Sequence, residues 1–408
     1  MKSYNLFLFL LCIVFVCKGQ DTTKFEEFWA NGNKATEGFH ITNVDNGKEK
    51  TKYKFGKWVY YYNDGISVER QGMYNEKGWK IGVWQWFYKN GKIKKQEIVS
   101  GNGENLAYYD NGQLYYSCEV KDGKKEGTYK EYHKNGKLKL ETTYKDDELE
   151  GQAIWWYDNG YKDMSGELLH GKKDGKWEYF YRENGNKESE GSYKESKEEG
   201  TWTYYYEGGE KWRSGDYRNG KREGLWQTYY ENGKLLHKGS YINGKEEGIW
   251  ESFFEDGSLQ MHGAFSKGLM NGKWEMFNSD GSKKTVVYYL DGIKNGTETL
   301  YDEKGDIYQK ADYINGKLNG RWEKYYNGKI VEQGFYSNGN KTGSWIFFDQ
   351  TGNKLREQAF AEGKPNGKWI EYSFGNKKIA EGEYKDGKAF GVWKYYDRDG
   401  KLINEIKH

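Results

Sequence analysis

The sequence predicts an all-β chain: an elongated antiparallel β-meander of about fifteen hairpin repeats forming one long twisted sheet. Three observations carry that reading. A phrase of 24 residues recurs from Gly56 to the C-terminus, Asn-Gly pairs punctuate most copies, and the 408 residues include 38 Tyr, 19 Phe, 17 Trp and 55 Gly but one Pro, Pro365. Mean hydropathy is −1.10, low enough to suggest disorder, yet disordered chains are poor in aromatics. Rings bury large areas with few rotatable bonds and can hold a thin fold without an aliphatic core.

Each unit opens on a glycine, at 56, 82, 103, 127, 151, 175, 200, 224, 248, 272, 296, 320, 343, 367 and 391, and ten of the fourteen intervals are 24 residues. A period of this size over most of a chain marks an array whose units pack on their neighbours. Residues 20–55 read as a degenerate leading unit, with "WANGNK" echoing the turn. The unit beginning at Gly224, "GLWQTYYENGKLLHKGSYINGKEE", gives the geometry. Asn232-Gly233 and Asn243-Gly244 each predict a two-residue type I′ turn, in which both central residues take positive φ. Counting back from the first turn sets Trp226 opposite Gly239 and Gly224 opposite Tyr241, and the glycine leaves the indole room to lie flat. Trp202/Gly215 and Trp250/Gly263 repeat the pair.

Because 24 is even, a face stays the same from unit to unit. One face is expected to carry Trp226, Tyr230, Leu235, Gly239 and Tyr241, and the other Gln227, Lys238 and Ser240. Tyr229 falls by alternation on the polar face, yet its position is aromatic in all fifteen units, whereas Trp fills its own position in eleven. Either a bulge turns this row inward or the sheet carries a second aromatic row. As candidate ligand-binding residues the row supplies Tyr205, Tyr229, Phe253, Phe277, Tyr301 and Tyr325; as packing residues they meet a core requirement.

Some units depart from the pattern. Asn105, Tyr129, Ala153 and Glu298 stand at the Trp position, and the Gly82–Gly103 interval is three residues short. Around residues 285–301, Val287 replaces the glycine expected opposite Trp274, which predicts local distortion there. No catalytic constellation is present. His40, His133, His170, His237, His262 and His408 fall at different places in the unit, so they form no recurring ligand set. "DRDGK" at 397–401 lacks the further ligands of a calcium loop and coincides with a hairpin turn. Cys118 sits at the glycine position and reads as a small packing residue. No cofactor or metal is implied.

Residues 1–19, with Lys2 and an apolar run from Leu6 to Val16, have the form of a secretory signal peptide. Cleavage after Gly19 competes with lipidation of Cys17, against which Val16 is a bulky neighbour. The chain from residue 20 onward has 62 Lys plus Arg against 62 Asp plus Glu, so it lacks the basic footprint of a nucleic-acid binder. One cysteine remains, leaving no internal disulfide.

Written as G-x-W-x-x-Y-Y-x-N-G-K-L-x-x-x-G-x-Y-x-N-G-K, the unit resembles the bacterial variant of the MORN repeat from Gly56 to the C-terminus. The resemblance implies stacked hairpins and, more loosely, scaffolding, lipid contact or the YwqK-like antitoxin label. Export fits a cytoplasmic antitoxin poorly. The expected function is that of an exported noncatalytic scaffold, periplasmic, outer-membrane-associated or extracellular, for a protein partner at the cell envelope. The alternatives are a glycan- or lipid-binding surface using aromatic rows, and an antitoxin or immunity protein.

Overall fold

The computed structural model describes residues 22–45 and 48–408; the leader at 1–19, with Cys17, lies outside the described residues. These residues fall into two compact units, one ending at Gly185 and the other beginning at Asn186. Each consists of β-strands and turns, with no helix among the described residues. Within each unit consecutive strands pair antiparallel, so the meander expected from the repeat is the fold of both.

In the unit at Gly224, strands Lys221–Tyr229 and Leu235–Ile242 pair as the sequence predicts over most of their length: Gly224 faces Tyr241, Trp226 faces Gly239 and Thr228 faces His237. The tip is different. The Tyr230 N–H donates to the Lys234 carbonyl at 2.8 Å and the Gly233 N–H to the Tyr230 carbonyl at 2.9 Å. Of the Asn-Gly pair only Gly233 has positive φ, +79°. This is a three-residue loop with the glycine in the left-handed position. The predicted type I′ geometry is confined to the other edge, where Asn243 (φ 52°) and Gly244 (φ 82°) join Ile242 to Lys245.

The loop shifts the register by one, and a bulge at Leu236 shifts it back, so that Tyr229 pairs with Leu235. Leu235 therefore shares a face with Tyr229, where the sequence reading had placed it beside Trp226. Asn and Lys of the loop tie neighbouring repeats together. The Asn135 side chain donates to the Asp158 carbonyl at 2.8 Å, and Lys234 Nζ to the Asp256 carbonyl at 3.0 Å. At the type I′ edge the residue before the opening glycine does the same work: Glu223 accepts from the Asn243 N–H, and Glu247 from the Lys267 N–H.

The core is a column of indoles on one face of each sheet. Trp58, Trp177, Trp274 and Trp345 are fully buried although no second layer covers them. The ring of Trp226 lies over Gly215 of the preceding repeat, not over Gly239, which is covered by Trp250. A Cβ on either glycine would fall inside the indole. Gly38, Gly72, Gly166, Gly191, Gly263, Gly334 and Gly382 seat their rings likewise. None of these glycines has positive φ, so what they supply is space. The indole N–H fixes the direction: Trp226 Nε1 donates to the Asp216 carbonyl at 3.1 Å, where the ladder shifts between Ser214 and Asp216.

In several repeats the solvent side of the ring is closed by a cation four residues earlier. Lys54 stands 4.3 Å from Trp58, Lys173 4.4 Å from Trp177, Arg222 4.6 Å from Trp226 and Lys341 3.7 Å from Trp345. Such long side chains cover apolar surface with their stems while the charge meets the ring face. Tyrosines close the flanks, as Tyr217 and Tyr241 do edge-on to Trp226.

Repeats without Trp also lack the seat. Cys118, fully buried, precedes Tyr129; buried Thr142 precedes Ala153; and buried Val287 precedes Glu298. Lys294, in the capping position, pairs with Glu298 at 2.6 Å and stands 5.1 Å from the ring of Tyr313. Trp274 is not distorted by Val287, contrary to the sequence expectation, because its seat is Gly263. The irregularity falls one strand later, in the break between Ile293–Lys294 and Gly296–Tyr301. Where Ala311 and Gln358 occupy the seat, Trp322 and Trp369 are only half-buried and lie against Trp345 and Trp393 of the next repeat, at 5.3 and 4.8 Å. The leading hairpin follows the same plan, with Phe25 opposite Gly38 and Gly38 beneath Trp58.

Gly215→Ala should lower the urea midpoint by the equivalent of about 1–3 kcal/mol. Adding Trp226→Ala should cost less than the sum of the two single changes, since the clash disappears with the ring. In the irregular repeat, Glu298→Trp alone should destabilise, whereas Val287→Gly with Glu298→Trp should restore most of the loss in the same unfolding assay.

Candidate functional site

Alternation along the first strand places Tyr229 on the face opposite Trp226 and Thr228, and the bulge does not change this. It moves the partner instead, bringing residue 235 and its equivalents onto the tyrosine face. Tyr205, Tyr229, Phe253, Phe277, Tyr301 and Tyr325 therefore form a row on the second face of the Asn186–His408 unit, each partly buried.

Their surroundings explain the burial. Lys211 pairs with Tyr205 in the ladder and reaches forward to stand 5.1 Å from the ring of Tyr229. Lys238 lies 5.8 Å from Phe253 and Lys310 6.0 Å from Tyr325. The Tyr205 hydroxyl donates to Glu190 at 2.7 Å, and Tyr325 donates to Glu323 at 2.7 Å. Phe277 has Lys283 as its cross-strand neighbour, and Tyr301 has Ile307.

A lysine–glutamate–tyrosine set recurs on this face. Lys187, Glu190 and Tyr205 form one copy; Lys354, Glu357 and Tyr372 a second; Lys378, Glu381 and Tyr396 a third. Lys34, Glu37 and Tyr61 form a fourth in the N-terminal unit. Hydrogen bonds from Lys378 and Tyr396 hold the Glu381 carboxyl below the usual range, and those from Tyr61 and Lys34 do the same for Glu37. Burial and then the bond to Glu357 push the Tyr372 phenol up to about 12, and burial with Glu37 raises Tyr61 to about 12. The sequence reading missed these carboxylates and lysines. Their trace is Lys-x-x-Glu at one place in the unit, as in "KESE" and "KLRE".

The tyrosine that follows the row links repeats. Tyr206 donates its hydroxyl to the Tyr229 carbonyl at 2.7 Å, and Tyr230 to the Phe253 carbonyl at 2.9 Å. Among the described residues no group of three or more His, Cys, Asp or Glu is arranged to hold a metal ion. Cys118 is free and buried, and burial pushes its thiol up to about 11. His237 stacks 6.1 Å from Trp250, and burial lowers its pKa.

Stacked hairpins, indole columns seated on glycine and a second row of partly buried rings define a β-repeat protein. Seven stretches match the MORN repeat variant: residues 80–98, 102–122, 125–146, 222–243, 246–266, 294–315 and 391–408. No curated protein matches the chain. Among solved structures, the crystal structure of TcdB2-TccC3-Cdc42 is 10% identical over 94% of this chain and 27% of that chain, with a TM-score of 0.15. That of TcdB2-TccC3 is 10% identical over the same shares, with a TM-score of 0.14. The chain thus spans about a quarter of the length of the solved chains it matches.

The depressed carboxyl groups favour the fold above the ordinary glutamate value of 4.5, and their contribution falls away as pH drops through the lower folded values. Melting temperature should therefore hold from pH 7 to about 5 and fall below it, with Glu37→Gln plus Glu381→Gln showing a shallower acid limb. On the alkaline side, Tyr61 and Tyr372 should ionise near 12, not at a phenol's ordinary 10.0, which absorbance at 295 nm would record.

Proposed function

We propose that this protein is an exported, noncatalytic interaction scaffold that binds a protein partner at the cell envelope. The observation that best supports this reading is the extended, side-chain-rich second face, backed by the indole column, in which the rows repeat at a fixed step. Such surfaces bind other chains by many weak contacts distributed over successive repeats. The secretory form of residues 1–19 supports placement outside the cytoplasm. The candidate row from Tyr205 to Tyr325 lies partly beneath lysine stems, a setting better suited to side-chain contacts than to flush stacking on a sugar ring. An antitoxin role has the family label alone in its favour.

Affinity capture with the chain from residue 20 onward, performed on its own envelope fraction, should retain a protein partner at stoichiometric level. Tyr205→Ala, Tyr229→Ala and Phe253→Ala together should weaken retention while the circular dichroism spectrum stays that of the parent. Unchanged retention with intact folding would remove this row from the binding surface. Recovery of the chain from the cytoplasmic fraction with residues 1–19 still attached would overturn the export reading.

A further inference from the structure

The turns along one edge of the Asn186–His408 unit carry a pattern that neither the indole column nor the tyrosine row requires. Each type I′ turn is flanked by a facing pair of residues on the second face. In sequence order the first six pairs are Lys194/Lys197, Arg218/Lys221, Ile242/Lys245, Ser266/Leu269, Leu290/Ile293 and Ile314/Lys317, and Ser337/Asn340, Ala361/Lys364 and Lys385/Lys388 follow. The pairs form one continuous line, because the residue after each turn sits beneath the glycine of the next. Lys221 lies within 3.7 Å of a Cβ built on Gly244, Leu269 within 3.5 Å of one on Gly292, and Ile293 within 3.3 Å of one on Gly316.

From Lys194 to Lys317 the line has two halves. At its start like charges face each other across the turn, an arrangement that costs stability; all four cations are exposed, and of them Arg218 has Glu223 at 3.9 Å. Further on, Ile242, Leu269, Leu290, Ile293 and Ile314 are 53, 47, 52, 50 and 51% exposed. Leu269 and Ile293 stand where neighbouring repeats have Lys221, Lys245 and Lys317, so the apolar stretch is not a property of the repeat. Contiguous apolar surface of this kind marks a contact site on a soluble protein, and its cationic end specifies charge.

We infer that the stretch of this edge from Lys194 to Lys317 docks an extended segment of a protein partner, acidic at one end and apolar along the remainder. The inference rests on the scaffold reading and names the surface and the partner chemistry. Apolar groups of the segment meet turns about 9.6 Å apart, the height of two strands. Its carboxylates lie between the facing cations at Lys194/Lys197 and Arg218/Lys221, relieving the repulsion there.

The test uses a labelled synthetic peptide with a glutamate-rich half and a leucine-rich half, and a second in which lysine replaces glutamate. Fluorescence anisotropy should show binding of the first peptide only. Leu269→Lys with Ile293→Lys should weaken it about tenfold, as should Lys197→Glu with Lys221→Glu, and the latter pair should also remove most of the salt dependence. Unchanged melting confirms that the variants fold. Binding unaffected by both pairs overturns the inference. So does binding of phosphatidylglycerol–phosphatidylcholine vesicles in place of the peptide, if it is lost with the same substitutions. Photo-crosslinkers in the full chain separate the two levels. Protein captured from the envelope at position 229 but not at 269 or 293 rejects this edge and leaves the scaffold reading standing, whereas capture at none of the three rejects that reading.

Discussion

Everything in this fold depends on an indole lying on bare backbone. A single-layer sheet offers no second sheet to bury a side chain, so a tryptophan must be buried by its own surroundings. The preceding hairpin provides a glycine where the ring can reach the main chain, a carbonyl for the indole N–H, and tyrosines at the flanks. In several repeats a lysine or arginine from the same strand closes the top. With nine glycines serving this purpose at ordinary φ, glycine here is a steric instrument as well as a turn former. The array is stable because each repeat completes the burial of its neighbour's largest side chain, which a lone hairpin cannot do.

The second face solves the opposite problem. Rings at the Tyr229 position face solvent by alternation, and a bulge in the pairing strand supplies the remedy by rotating the partner residue into place over them. Lysine at that partner position covers a ring and engages a carboxylate at once, which is why Lys-x-x-Glu and tyrosine recur as a set. The two faces are thus both aromatic, yet one is sealed by packing against backbone and the other is roofed by charged side chains. The sealed face keeps the hairpins in register; the roofed face is the one whose chemistry varies along the chain.

Much of this was legible in the sequence. The period, the strand pairs and the opposition of Trp226 and Gly239 follow from counting, and the structure has them. The tip of the hairpin was not legible, for a physical reason: a two-residue loop and a three-residue loop followed by a bulge leave the same pairing from Thr228 inward. The count therefore cannot distinguish them, and Leu235 changes face unnoticed. Nor did opposition reveal which indole a glycine serves. Gly239 is paired with Trp226 on one side and Trp250 on the other, and only the acceptor for the indole N–H decides between them. Val287 was misread for that reason, since its effect belongs to position 298 and not to Trp274.

The direction of that reach defines what can be exchanged between proteins built this way. A segment cut from opening glycine to opening glycine carries a tryptophan away from its glycine and leaves behind a glycine without its ring. A segment cut just ahead of Gly239 and again just ahead of Gly263 keeps Gly239 with Trp250, and its ends meet any equivalent seat. Duplication, deletion and shuffling in this lineage should therefore leave boundaries in the second strand of the hairpin. The hereditary unit is offset by more than half a repeat from the one the eye finds in the text.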